Sequence, residues 1–261
     1  KDQLSILQEP TETIAKTLKN ISVELSHYIN PHLKGFAVVS YAERMPTASE
    51  LYGFYLFNAF DDFDYIGSTL LKKENALKAE FGLIYTKPKL QLSFSVFASK
   101  VNNYILGIYD PTYSTMTIGA QGVKLYRNIP YTELAGLEAG IIYKLTNNVQ
   151  LISTLKYNYG RDNNHNPLPL IAPFKNITTL KKQLKNWSIQ VETETATAQN
   201  RVSSDAKENT TNGFFIANAR ASYSGILNKN AYRIDVGVEN IFDKAYKEHL
   251  DWGNINRPGR N

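Results

Sequence analysis

The chain has 261 residues, 12% of them aromatic, no cysteine and a formal net charge of +5. Without cysteine it needs no disulfide framework and has no thiolate metal site, and the mild, scattered charge does not indicate a nucleic-acid surface. No apolar run approaches the ~20 residues that a membrane-spanning helix needs. The first ten residues lack the basic and apolar regions of a signal peptide.

The first predicted element is a β-hairpin near the N-terminus. Residues 17–28 alternate between apolar and polar side chains, as in a strand with two different faces. A short turn at 29–34 leads to a return strand over 35–41. The segment from Glu43 to Lys73 shows no such alternation and is rich in aromatic and acidic residues, so we expect a long connection there.

The second predicted hairpin, over 75–98, has the clearest pattern in the chain. In its second strand Leu90, Leu92, Phe94 and Val96 point one way, whereas Gln91, Ser93 and Ser95 point the other. The two strands flank a turn of only a few residues, 86–89, which is typical of a hairpin. A second long segment, from Asn102 to Pro130, is predicted to be irregular.

The same unit recurs three more times. The predicted strand pairs cover residues 131–145 and 149–159, 174–184 and 187–198, and 213–223 and 231–241. Their turns are short, at Thr146–Asn148, Leu184–Asn186 and Gly225–Lys229, whereas the segments between the hairpins, 161–173 and 199–212, are long and polar. We therefore expect all short turns at one end of the strands and all long loops at the other.

This organisation predicts an all-β fold, an antiparallel transmembrane β-barrel. About ten strands of roughly 10–14 residues exceed the usual globular length of about 5–6, and they suit tilted strands that cross a bilayer. Tight turns on one side and long loops on the other are typical of such barrels. The alternative from another class, a soluble carbohydrate-binding β-sandwich, would bury the apolar strand faces against each other.

Each strand also carries polar residues on the face opposite its apolar residues. In a large barrel these residues would line a hydrated or plugged lumen, while the apolar face contacts lipid. We expect Ile234, Val236 and Val238 to face outward. The residues expected to face inward are Glu24, Glu80, Glu138, Gln150, Lys156, Gln190, Glu192, Arg220, Arg233, Asp235 and Glu239.

Several motifs resemble those of TonB-dependent outer-membrane receptors. Arg44-Met45-Pro46, followed by Glu50-Leu51-Tyr52, resembles the R-x-P-(x3)-E-L-(Y/F) segment of that family. The passage 64–74 is similar to its G-N-P-x-L-K-P-E passage, with Ser68 and Thr69 in place of Asn and Pro, and 136–138 resembles a G-x-E strand start. The most specific match is the tail, where 238–246, His249 and 258–261 resemble V-x-N-L-F-D-K-x-Y…H…P-G-R-N.

The resemblance implies the C-terminal portion, over residues 1–261, of a barrel of about 22 strands. The plug domain, the TonB box and the final strand of the family are not expected within this chain. The implied function is TonB-dependent active transport across the outer membrane of a Gram-negative cell, with a ferric siderophore or similar metal chelate as solute. The implied partners are that solute, outer-membrane lipid and TonB acting through the plug, without nucleic acid or cofactor; the alternative is a passive porin.

Enzymatic motifs such as G-x-S-x-G, H-E-x-x-H and the P-loop are absent from the sequence, so we expect neither an enzyme nor catalytic residues. The acidic residues Asp61, Asp62 and Asp64 can bind Ca²⁺ by carboxylate density or form a solvated loop, and no metal ligand is assigned. Recognition of an anionic, aromatic chelate by charge and ring stacking is predicted for residues on the long loops. These candidates are Arg44, Tyr52, Tyr55 and Tyr109; the alternative is that they pack the loops against each other.

Overall fold

A computed structural model describes residues 17–251 and 255–261, so the N-terminal ten residues considered above lie outside it. Nearly all regular structure in it is β. The strands are β1 (Asn20–Asn30), β2 (Leu33–Arg44), β3 (Leu56–Asn58), β4 (Phe63–Ile66), β5 (Glu74–Lys87), β6 (Leu90–Tyr109), β7 (Val123–Thr146), β8 (Val149–Asp162), β9 (Lys175–Leu184), β10 (Trp187–Ala196), β11 (Phe214–Leu227) and β12 (Asn230–Val238). One short helix, α1 (Ala48–Tyr52), precedes β3.

The strands form one sheet in the order β1-β2-β5-β6-β7-β8-β9-β10-β11-β12, and every neighbouring pair in it is antiparallel. The all-β antiparallel prediction is confirmed. The sandwich alternative is wrong because the apolar face is not packed on a second sheet. Ile234 and Val236, for example, are 57% and 66% exposed.

The five short turns lie at one edge of this sheet, as predicted. Backbone bonds join each turn to the neighbouring hairpin: the Thr86 amide donates to the His32 carbonyl, and the Lys144 amide donates to the Lys89 carbonyl. Each turn is tighter than the sequence indicated. β11 and β12 continue to Leu227 and Asn230, and only Asn228 and Lys229 turn, both with positive φ, as a type I′ turn requires.

The predicted end of β6 and the predicted start of β7 are both wrong, because the two strands are longer than expected. The segment from Asn102 to Pro130, expected to be irregular, is mostly strand: β6 has 20 residues and β7 has 24, and they stay paired up to Tyr109 and Lys124. The expected strand length of 10–14 therefore fails for this hairpin. Beyond the apolar band the two faces no longer differ in polarity, so alternation does not mark the strands although their backbones still pair.

The connection from Glu43 to Lys73 is also more ordered than predicted. It contains α1, β3 and β4, and β4 pairs in parallel with the upper part of β7 from Asp64↔Val123 to Ile66↔Leu125. We call residues 45–73 the strap, because they pass from β2 across β6 to β7. Among residues 17–251 and 255–261 no helix has the length and hydropathy for a membrane span.

The polar residues share one face of the sheet, as the alternation predicted. Arg233 forms an ion pair with Asp235 at 2.8 Å, and Asp235 also accepts a bond from Ser222 on the neighbouring strand. Arg220 of β11 pairs at 2.7 Å with Glu239, the residue that follows β12. Alternation along β7 places Lys124 on the same face as Glu138, and the strap folds over this polar face rather than over the apolar one.

Candidate functional site

The strap is held at its start by a capped helix and an arginine. Thr47 accepts a bond from the Glu50 amide, and Glu50 accepts one from the Thr47 amide, which forms a capping box. The Arg44 guanidinium lies 2.9 Å from Glu50 and 2.6 Å from Glu74. Burial alone would raise the pKa of Glu50, but bonds from Arg44 and Thr47 together lower it.

The middle of the strap is fastened by Asp64, which is fully buried. One of its carboxylate oxygens accepts bonds from the Met116 and Thr117 amides at 2.9 and 3.0 Å. Burial would raise the pKa of Asp64, whereas the bonds from Thr117 and Met116 outweigh it and lower the pKa. Since β4 also pairs with β7, backbone and side chain both fix the strap against the loop that joins β6 to β7 (110–122).

A buried charge pair joins the strap to β7. The Lys124 ammonium contacts the Asp61 carboxylate, and its side chain is only 2% exposed. The Tyr65 hydroxyl donates to the same carboxylate at 2.6 Å, and the Phe63 ring lies 4.1 Å from the ammonium. Burial is the main cause that lowers the pKa of Lys124 and raises that of Tyr65.

A second buried cluster joins three other loops through Glu208. Its carboxylate accepts bonds from the Leu170 amide at 2.6 Å and the Ser203 amide at 2.9 Å, and it lies 3.1 Å from His249 Nε2. His249 Nδ1 lies 2.9 Å from the Thr211 hydroxyl. Burial would raise the pKa of Glu208, but the bonds from His249, Leu170 and Ser203 together lower it.

These two clusters border a cavity of about 300 Å³ on the polar face of the β6–β7 hairpin, which we call the loop pocket. Its carboxylates all have partners: Asp61 pairs with Lys124, Asp251 with Arg257, and Glu248 with Arg257 and Lys175, whereas Glu208 is held by two backbone amides beside His249. Lys207 has no ion pair among the described residues, and its ammonium lies 5.0 Å from the Tyr109 ring centre. The aromatic residues that line the pocket are Phe60, Tyr65, Tyr104 and Tyr126.

Rings, one ammonium group without an ion pair among the described residues and several buried hydrogen-bonding groups are suited to binding an anionic, partly aromatic molecule. Among the described residues no group of three or more His, Cys, Asp or Glu side chains has the arrangement of a metal site. Two of the three aspartates considered for Ca²⁺ are engaged by different partners. Asp61 contacts Lys124, and Asp64 caps backbone amides.

The four predicted site residues are not brought together. Arg44 is occupied by Glu50 and Glu74, and Tyr52 is 41% exposed at the end of α1. Tyr55 is 92% buried beside Ile66 and Val123, so its contacts are those of the packing alternative. Tyr109 lies near the loop pocket through Lys207 and packs edge-on against Phe63 at 5.9 Å. A binding role for these four residues stays a prediction.

The sequence analysis did not identify Lys124, Lys207 or Glu208 as residues of this site. No local pattern marks them, because the contacts join residues 63 positions apart in the pair of Asp61 and Lys124 and 41 apart in the pair of Glu208 and His249. The helix α1 had a usable signal. Thr47-Ala48-Ser49-Glu50 has the T-x-x-E spacing of a capping box.

Comparison with known proteins supports the same β-barrel fold. A family model described as "TonB dependent receptor-like, beta-barrel" matches residues 16–241. Among solved structures, the copper transporter OprC is similar over 94% of this chain and 38% of its own, with 24% identity and a TM-score of 0.79. Comparison with curated protein sequences gives no significant match.

Two siderophore receptors are similar as well. The ferric enterobactin receptor PfeA from Pseudomonas aeruginosa, solved with enterobactin, is similar over 92% of this chain and 39% of its own, with 20% identity and a TM-score of 0.70. The siderophore receptor PirA from Acinetobacter baumannii covers the same shares, with 16% identity and a TM-score of 0.69. The chain thus spans about two fifths of these proteins, and at such identities the likeness concerns the fold.

Proposed function

The chain belongs to the TonB-dependent receptor β-barrel family, and we propose that it is the C-terminal part of a barrel that actively imports a metal chelate across the outer membrane. In this proposal the exposed apolar face contacts lipid and the polar face lines the lumen. A plug, a TonB box and a last strand lie outside residues 1–261. The first candidate for the solute is a ferric siderophore, since two of the similar structures are a ferric enterobactin receptor and a siderophore receptor.

The observation that carries this proposal is the loop pocket. It opens on the polar face at the long-loop end, where an external solute would enter the lumen, and its carboxylates are already engaged by ion pairs or hydrogen bonds within the protein. Lys207 is then the charge available to a ligand, next to several rings. Such a pocket suits an anionic chelate with aromatic groups better than a small inorganic ion.

The test is solute binding and iron uptake by the full-length receptor with Lys207→Gln. Losing one ammonium contact should weaken the binding of ferric enterobactin, or of another ferric chelate that the receptor takes up, by about 5–10-fold, which corresponds to roughly 1 kcal/mol. The matched control is Lys244→Gln, an exposed lysine outside the pocket, which should bind as the wild type does. Equal affinity of both variants would contradict the assignment of the loop pocket.

A passive porin is tested by the energy dependence of uptake. Active import stops when a proton uncoupler is added or TonB is deleted, whereas diffusion through a pore continues. Uptake that persists under both conditions would favour the porin alternative.

Deleting Tyr52–Asp64 tests whether the strap recognises the solute or only seals the barrel mouth. The deletion removes β3 and half of β4 but leaves the pairing of β2 with β5 in place. We expect loss of high-affinity uptake with an assembled barrel, since the deletion also removes Asp61 and the wall it forms. Unchanged affinity together with greater antibiotic permeability would mean that the strap only seals the barrel mouth.

A further inference from the structure

The turn end of the sheet has an unusual charge. We use the name turn rim for the five short turns together with three to five residues on each side: 28–36, 84–92, 142–151, 180–190 and 224–232. These ranges contain no Asp or Glu, but they contain the eight lysines Lys34, Lys87, Lys89, Lys144, Lys181, Lys182, Lys185 and Lys229. Eight positive charges exceed the +5 of the whole chain, so the remainder of the chain is net negative.

These lysines form no ion pairs among the described residues. Among the described residues every ion pair lies outside the turn rim, and the eight ammonium groups have no carboxylate partner. Lys87 lies over the Tyr85 ring at 5.5 Å, within its own strand. A concentration of exposed like charges raises the energy of the protein alone, so it indicates an anionic partner.

The strand register separates two groups within the rim. Lys87 is opposite Leu90, and Lys182 is opposite Val149 and Ile189, so both lie on the apolar face. Lys144 and Lys181 are both opposite Gln150 and lie on the polar face. On the apolar face Trp187 and Tyr143, which are 49% and 38% exposed, lie at the same level as the turns.

We propose that the turn rim binds the anionic head groups of phospholipids in the leaflet on the turn side of the membrane. The proposal rests on the proposed function, which places the apolar face in a bilayer. Aromatic side chains at this level suit the interface, and lysine stems can run along the apolar face while the ammonium groups reach the phosphates. The lysines on the apolar face, Lys87 and Lys182, are then the ones that contact lipid directly.

The experiment measures lipid selectivity of the full-length receptor reconstituted in bilayers. Spin-labelled phosphatidylglycerol and phosphatidylcholine report which lipid occupies the first shell around the barrel. We expect a preference for phosphatidylglycerol that corresponds to about fivefold per contacted ammonium, the equivalent of about 1 kcal/mol. The preference should fall at 0.5 M salt because exposed charges are screened.

The matched variants are Lys87→Gln/Lys182→Gln and Lys144→Gln/Lys181→Gln. Both remove two charges from the turn rim, but only the first pair lies on the apolar face. We expect the first variant to lose most of the preference and the second to keep it. No preference in the wild type would overturn the proposal and favour a soluble acidic partner at the turn tips. An equal loss in both variants would overturn the assignment of direct lipid contact to Lys87 and Lys182.

The lipid preference and the transport activity of the receptor are tested separately. A receptor that imports its chelate but shows no lipid preference contradicts only the role of the turn rim. A receptor that shows the preference but no energised uptake contradicts only the proposed function.

Discussion

The two ends of the sheet are stabilised in different ways. At the turn end, two-residue turns close the hairpins through backbone bonds, and the lysines there have no carboxylate partners among the described residues. At the loop end, buried pairs such as Asp61 with Lys124 and Glu208 with His249 join segments that are distant in sequence. At the turn end the backbone forms its own hydrogen bonds, so the side chains can contact the surroundings. At the loop end side-chain contacts are also needed to hold the loops together.

This contrast predicts the largest loss of stability at the buried charge pair. Asp61→Ala leaves the Lys124 ammonium buried without a partner and should lower the free energy of local opening of the strap by about 3–5 kcal/mol at neutral pH. Burial lowers the pKa of Lys124, so the loss should shrink toward alkaline pH, where the amine is neutral. Hydrogen exchange of the β4 and β7 amides measures the opening.

Two variants make this prediction specific. Asp62→Asn changes the neighbouring carboxylate, which has no ion pair among the described residues, and should have little effect. Adding Lys124→Met to Asp61→Ala should recover much of the protection, because the unpaired charge is gone. An Asp61→Ala variant that exchanges like Asp62→Asn would show that the loop end does not depend on this pair.

The apolar face between the two ends should give the next largest effect. Val96→Arg places a charge on the apolar face of β6 and, if that face contacts lipid as proposed, should cost about 2–4 kcal/mol of unfolding free energy in the full-length barrel. Ser95→Arg changes the adjacent residue, which is on the polar face opposite Glu138 of β7, and should cost much less. Urea unfolding in lipid compares them, and equal losses would reverse the assignment of the two faces.

Acid should weaken the Glu208 cluster by a smaller amount. The pKa of Glu208 in the folded protein lies below its ordinary value of 4.5, so its stabilisation is fully present above that pH and is lost as the pH falls through the folded pKa. We expect exchange of the Leu170 and Ser203 amides to accelerate in that range. In Glu208→Gln, which cannot titrate, protection should be lower by about 1–3 kcal/mol and flat with pH.

The smallest effect is expected at the turn end. Lys185→Ala removes a lysine from a turn where it has no described ion pair, so the unfolding free energy should change by less than about 0.5 kcal/mol. Urea unfolding in a zwitterionic lipid checks this, because anionic head groups are absent there. A loss of more than 1 kcal/mol would mean that the turn end has internal contacts comparable to those of the loop end.

Much of the barrel wall follows from the sequence. In β12, Tyr232, Ile234 and Val236 alternate with Arg233 and Asp235, and this period alone identifies the strand and both of its faces. The five turns follow from short polar interruptions between such strands. These features are predictable because a face in lipid and a face in water impose opposite chemistry on successive residues.

The loop end is less predictable, since water surrounds it and the alternation ends there. The extension of β6 to Tyr109 depends on pairing with β7, and the buried state of Tyr55 depends on Val123 and Ile66 in distant segments. The loop pocket requires residues from the strap, from β6 and β7 and from two further loops at once. Such contacts are set by tertiary packing rather than by local sequence period.

The attachment of the strap to β7 bears on how receptors of this kind can diverge. The β4–β7 pairing uses main-chain groups of Asp64, Tyr65 and Ile66, which every amino acid except proline can supply. Apart from Asp61 and Asp64, whose side chains also hold the strap, substitutions along the strap can therefore change the side chains near the loop pocket without releasing the strap from the wall. A gene encoding this barrel can in this way acquire a new preference through point mutations, while its architecture is inherited unchanged.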